Sequence, residues 1–269
     1  MNALQKLESA NSSGKFICVG LDTDPKKIPS HLSSYKNPVL EFNRKIIEAT
    51  KASAAAYKLN LAFYESEGTA GIKNLEETLS FLPENILTIA DGKRGDIGNT
   101  SEMYAKSIFD HFKFDSATLN PLMGKDSLTP FLQRDDKLNF ILALTSNPGS
   151  SDFQKLKLKN GSLFFQYLIE KVHSWNENNN CGIVFGATNI TELEENLELI
   201  KNLPLLIPGA GTQGGSIEDV TKLLLSGNIN SFLINVSRGI LFKSAGEDFA
   251  ESAKNELLRL TQIISQNLH

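Results

Sequence analysis

Short apolar runs recur eight times along the chain: KFICVGL (15–21), AAAYKLN (54–60), ILTIAD (86–91), SATLN (116–120), NFILALT (139–145), GIVFGA (182–187), PLLIPG (204–209) and SFLINVS (231–237). Continuous apolar character without alternation marks strands buried on both faces, as parallel sheets require. Between them lie segments of helical pattern: PVLEFNRKIIEATKA, NLEETLSFL, TSEMYAKSIFDHF, SLTPFLQR, GSLFFQYLIEKVHSW, TELEENLELIKN and SIEDVTKLLLSG, with DFAESAKNELLRLTQIISQ closing the chain. Several open on Ser, Thr, Asp or Asn with acidic residues in the first turn, and SIEDVTKLLLSG stops on a glycine. Eight strands alternating with eight helices predict an α/β fold, the (β/α)8 barrel, spanning residues 1–269 as one domain. A doubly wound open sheet is the rival, but it would place a Gly-rich loop after the first strand, where this chain reads GLDTDPKKIP.

The N-terminal stretch MNALQKLESANSSGK has no apolar signal-peptide core and reads as a short helix leading into the barrel. No window approaches the roughly 20 apolar residues that span a bilayer, so the expectation is a cytoplasmic protein without a membrane partner. At 269 residues, 41% hydrophobic and 22% charged, composition is that of a globular protein. The net charge of −4, with no Lys/Arg block, argues against nucleic acid. Cys18 and Cys181 each sit in an apolar stretch, which suits reduced thiols, and His31, His111, His173 and His269 show no metal-ligand spacing.

In a barrel, chemistry sits at the C-terminal ends of the strands and in the loops just after them. Read out one by one, those positions are polar: Asp22; Lys58 and Asn60; Asp91, Lys93 and Asp96; Asn120; Ser146; Thr188; the PGAGTQGG loop with Pro208, Gly209, Gly211, Gln213 and Gly214; and Ser237 with Arg238. An isolated DGKRGD would be a solvated surface run. Here every other strand end also carries polar groups, and burying charges seldom gains stability by itself. IPGAGTQGG after the seventh run and NVSRGI after the eighth fit the phosphate site that many barrels build there, from glycine amides, a helix start near Ser216 or Ser237, and the guanidinium of Arg238. The polar stretch 146–160 follows the fifth run, where a lid could lie over the mouth.

GLDTDP, AYKLNLAFYE, DGKRGDIGNT, LNPLMGKDS, LTSNPGS, FGAT, IPGAGTQGG and SRGI together resemble the orotidine 5'-phosphate decarboxylase family, in particular its longer bacterial-type branch. The resemblance implies decarboxylation of orotidine 5'-phosphate to UMP in pyrimidine biosynthesis, without metal or cofactor. It implies a charged tetrad of Lys58, Asp91, Lys93 and Asp96 in a homodimer, with Asp96 and Thr100 reaching into the neighbouring subunit's site. Asp22, Lys58 and Thr100 would hold ribose hydroxyls, Ser146 the pyrimidine, and Gln213 and Arg238 the phosphate. Shorter members have IPNT where this chain has IGNT, and His at the position of Asn147. Two other readings stay in view: a metal-dependent sugar-phosphate decarboxylase or aldolase of a related barrel family, which would need further carboxylates at strand ends, and a phosphoribosyl-ligand sensor, which would not need to retain all four charges.

Overall fold

The computed structural model describes residues 1–211 and 214–267. Eight strands, β1 (Ile17–Gly20), β2 (Ala56–Asn60), β3 (Leu87–Arg94), β4 (Ser116–Leu119), β5 (Leu138–Leu144), β6 (Cys181–Phe185), β7 (Leu205–Ile207) and β8 (Phe232–Val236), close into a barrel in sequence order. Every neighbouring pair is parallel, including β8 with β1, where Val19 stands opposite Val236. All eight expected strands are present, each within a few residues of its apolar run. The helices, in chain order, are α1 (Ala3–Ser12), α2 (Pro38–Thr50), α3 (Leu61–Glu65), α4 (Gly68–Leu79), α5 (Gly98–Ala105), α6 (Thr129–Leu132), α7 (Phe164–Trp175), α8 (Ile190–Glu195), α9 (Leu197–Ile200), α10 (Ile217–Ser226), α11 (Arg238–Leu241) and α12 (Phe249–Ser265).

Side-chain parity along the strands divides the core in two. Outward positions such as Ile17, Val19, Tyr57, Leu59, Ile141, Ile183 and Ile234 pack against the helices with Phe42, Ile46, Phe165 and Phe249. Inward positions, among them Cys18, Ala56, Leu87, Ile89, Phe140, Val184, Leu206 and Leu233, fill the barrel itself. This explains the absence of alternation in the sequence: both faces of every strand are buried.

The first helix does more than lead into the barrel. Ala3 and Leu7 of α1 belong to the inner cluster, so α1 seals the barrel floor. Asn2 and Gln5 form a reciprocal capping box at its start, Lys6 Nζ reaches Asp115 at 2.7 Å, and Asn11 exchanges hydrogen bonds with the main chain of Phe232.

Several helix boundaries differ from the pattern. The segment at 191–202 is broken, because Asn196 turns its buried side chain to Gln166 Nε2 and to the Glu192 carbonyl instead of continuing the helix. The segment predicted from residue 100 begins at Gly98 and widens into a π-helical turn over Lys106–His111. The helix predicted from residue 74 starts at Gly68, whose φ of +59° suits a residue without a Cβ. Among the described residues no helix is long and apolar enough to cross a membrane.

Candidate active site

A cavity of about 510 Å3 opens at the C-terminal end of the barrel. Its floor is apolar, from Leu142, Val184 and Leu206, and its walls carry Asp22, Lys58, Asn60, Asp91, Lys93, Thr118, Ser146, Asn147, Gln154, Asn235, Ser237 and Arg238. Ten of the positions singled out in the sequence therefore converge on one space: Asp22, Lys58, Asn60, Asp91, Lys93, Ser146, Pro208, Gly209, Ser237 and Arg238.

Neighbouring strands build the charged centre. Lys58 on β2 stands one strand from Asp91 on β3, and its Nζ lies 2.9 Å from Asp91 Oδ2 and 3.2 Å from Asp22 Oδ1. Lys93 Nζ lies 2.7 Å from the other Asp91 oxygen. Burial opposes a charge on Lys58, but the carboxylates of Asp22 and Asp91 outweigh it and hold the ammonium well above the usual lysine range. Burial opposes the charge of Asp91 as well, and Lys58 and Lys93 outweigh it, holding the carboxyl well below its ordinary range. The two lysines differ in access. The Lys58 side chain is 5% exposed and the Lys93 side chain 50%, so Lys93 is the ammonium that can meet a ligand.

Asp22 is fixed from both sides. Tyr64 donates to the Leu21 carbonyl, and Thr23 donates to Asn43, whose amide reaches Thr78. Its own second oxygen lies 2.6 Å from Ser237 Oγ. Glycine at position 20 on β1 leaves room for this contact, because a Cβ there would stand 2.0 Å from that hydroxyl.

The proposed anion corner is at the ends of β7 and β8. Gly209, Gly211 and Gly214 have φ of +90°, +81° and +96°, conformations that side chains with a Cβ avoid, and the Gly211 and Gly214 amides close the loop on itself by donating to the Gly215 and Gly211 carbonyls. Of the two helix starts the sequence offers, that of α10 is already satisfied. Ser216 accepts from the Asp219 amide, and Glu218 and Asp219 occupy the first turn. Ser237 makes no such cap at α11, leaving that end and Arg238 on the cavity wall.

Several expected residues are elsewhere. Asn120 does not line the cavity. It is exposed, and its Oδ1 accepts from the Leu122 amide to cap the short turn Pro121–Met123, a local bond that a polar residue before a proline makes readily. Asp96 accepts from the Ile97 amide and, with exposed Thr100, lies outside this chain's own cavity. Gly211 lines an adjoining groove rather than the cavity, Gly214 lines neither, and Gln213 lies outside the described residues. The stretch 146–160 does reach the mouth, with Ser146, Asn147 and Gln154 on the wall, and Gln154 accepts from the Thr145 amide at 2.7 Å.

The sequence reading passed over Thr118, Thr145, Gln154 and Asn235. Thr118 and Asn235 precede Asn120 and Ser237 by two positions, so strand parity places them on the inward face one layer down. That parity was the available signal. Cys18 lies in the barrel interior near the charged centre, where burial pushes its thiol up to about 12, and both cysteines are free. Among the described residues no three His, Cys, Asp or Glu side chains gather as a metal site.

The family model for "Orotidine 5'-phosphate decarboxylase / HUMPS family" matches residues 15–253. The orotidine 5'-phosphate decarboxylase of Herpetosiphon aurantiacus is 46% identical over 253 residues, 93% of either chain. That of Flavobacterium johnsoniae is 42% identical over 269 residues, covering 99% of this chain and 98% of the relative. Among solved structures, the OMP decarboxylase of Leishmania donovani superposes with a TM-score of 0.82 at 32% identity, over 98% of this chain and 99% of that one.

Proposed function

The chain belongs to the orotidine 5'-phosphate decarboxylase / HUMPS family, and from that premise we propose that it converts orotidine 5'-phosphate to UMP, a step of pyrimidine biosynthesis, in the cytoplasm. The observation that carries the chemistry is the placement of Lys93: an accessible ammonium on the wall of a half-apolar cavity, held 2.7 Å from a carboxylate whose other oxygen is held by Lys58.

Loss of CO2 from C6 of the pyrimidine leaves an electron pair in an sp2 orbital at C6, out of conjugation with the ring. No adjacent π system can take it up, so the barrier falls only if a positive charge is already in place beside C6. Lys93 supplies that charge and then gives its proton to C6, regaining one from solvent. Asp91 orients Lys93, and Lys58 keeps Asp91 in place. Asp22 and Ser237 offer polar contacts to ribose hydroxyls, Ser146 a polar contact to the pyrimidine, and Arg238 a grip on the phosphate. Binding free energy from the phosphate, remote from C6, lowers the barrier where it is realised only in the transition state.

The active unit in this reading is a homodimer, with Asp96 and Thr100 completing the partner's site. Their position outside the cavity supports this, as do the exposed side chains of Ile97, Met103, Leu122 and Met123 on the segments that follow β3 and β4. The metal-dependent alternative has less support, since both carboxylates on the cavity wall, Asp22 and Asp91, are engaged by Lys58 and Lys93.

The test is to follow the ultraviolet spectrum of orotidine 5'-phosphate with purified protein in EDTA. Conversion to UMP is expected, and Lys93→Ala should lower kcat/KM by at least about 10^4-fold. No conversion by the wild type overturns the reading, and a loss below about tenfold in the variant moves the chemistry away from Lys93.

A further inference from the structure

Strand β3 carries two more residues than β4 can pair. Ala90 stands opposite Ala117 and Arg94 opposite Leu119, so Asp91, Gly92 and Lys93 face Thr118 alone. Inside this bulge Lys93 has φ +47°, a left-handed conformation that residues with a Cβ enter rarely. A bulged residue loses its place in the ladder. Here the Lys93 amide donates instead to Thr118 Oγ1 at 3.0 Å, and the Thr118 hydroxyl lies 2.9 Å from Asp91 Oδ1. The direction of both bonds follows from chemistry, since an amide N–H only donates and an ionised carboxylate only accepts. The same Asp91 oxygen accepts from Lys93 Nζ. A single hydroxyl, on a residue 2% exposed, thus ties the main chain of Lys93 to the carboxylate that holds its ammonium.

Resting on the decarboxylase reading above, we infer that Thr118 is a positioning residue whose hydroxyl fixes the β3 bulge and so sets where Lys93 Nζ stands in the cavity. Its effect passes through Lys93 and Asp91. The groups proposed to hold ribose and phosphate, Asp22, Ser237 and Arg238, sit at the β1 and β8 ends, and Asp22 meets this network only through Lys58 and Asp91, two ion pairs removed from the hydroxyl. Rate should therefore respond to the hydroxyl while substrate affinity does not.

Thr118→Val keeps the shape and removes both bonds, and Thr118→Ser keeps the hydroxyl. With orotidine 5'-phosphate as substrate and wild type in parallel, Thr118→Val should lower kcat at least about 30-fold with KM within about threefold, and Thr118→Ser should stay within about threefold of wild type in both. Hydrogen exchange of the Lys93 amide, followed by NMR without substrate, should speed up at least about tenfold in Thr118→Val and not in Thr118→Ser. Wild-type-like kcat in Thr118→Val, equal losses in the two variants, or unchanged Lys93 exchange would each overturn the inference. Should Thr118→Val not fold, Thr118→Ala against Thr118→Ser makes the same comparison. A wild type that leaves the substrate untouched sinks the decarboxylase reading instead, and the exchange measurement still decides the role of the hydroxyl.

Discussion

At the scale of single residues, stability alone does not account for the charged centre. Lys58 and Asp91 are almost entirely removed from water, and a buried ion pair is seldom more stable than apolar residues of the same volume. What the arrangement achieves is a fixed charge state. Asp91, with its pKa lowered in the fold, binds its proton more weakly than in the unfolded chain, where a carboxyl of this kind titrates at about 3.9. Its contribution to stability is therefore present above that value and lost as pH falls toward the folded one. Urea unfolding of wild type and Asp91→Asn should show a difference that is flat between pH 7 and 5 and moves against the wild type by about 1 kcal/mol by pH 3. A difference that stays constant down to pH 3 would mean that Asp91 titrates as an ordinary carboxyl.

At the scale of elements, the two ends of the barrel have separate tasks. The strand C-termini hold the polar groups, while α1 closes the opposite end with Ala3 and Leu7 and is tied down through Lys6 to Asp115, which also accepts from Thr88. Leu7 is fully buried. Truncation to alanine leaves a void in the inner cluster, so Leu7→Ala should lower unfolding free energy by roughly 2–5 kcal/mol in urea melts. Since α1 lies at the far end from the cavity, kcat of the folded variant should remain within about twofold of wild type. A loss under about 1 kcal/mol would show that α1 seals the floor only loosely.

At the scale of the whole molecule, the proposed dimer makes activity a shared property. If each chain lends Asp96 to its partner's Lys93, a dimer of one Lys93→Ala chain and one Asp96→Ala chain has one site lacking both groups and one intact site. Co-refolding the two nearly inactive variants in equal amounts should make about half the dimers mixed and restore roughly a quarter of wild-type activity. With mixed dimers confirmed by native mass spectrometry, absence of recovery would show that Asp96 acts within its own chain, or not at all.

The sequence by itself determined the barrel and the side of it that carries chemistry. Eight unalternating apolar runs bury both strand faces, and the polar residues that end them have to emerge at one rim, which is why Asp22, Lys58, Asp91, Lys93, Ser237 and Arg238 could be named from order alone. The tertiary structure decided what depends on register and on neighbours distant in the chain. The two-residue bulge of β3, the left-handed Lys93 and its tie to Thr118 arise only when β3 is laid against β4. Asn120, polar and at a strand end like the others, turned to its own main chain because a local amide was nearer than the cavity. Asn196 broke a helix because Gln166, thirty residues away in sequence, offered its side chain a partner. Periodicity is set by which face is buried, whereas such partners are set by which strands and helices come to lie side by side, and a one-dimensional pattern carries the first but not the second.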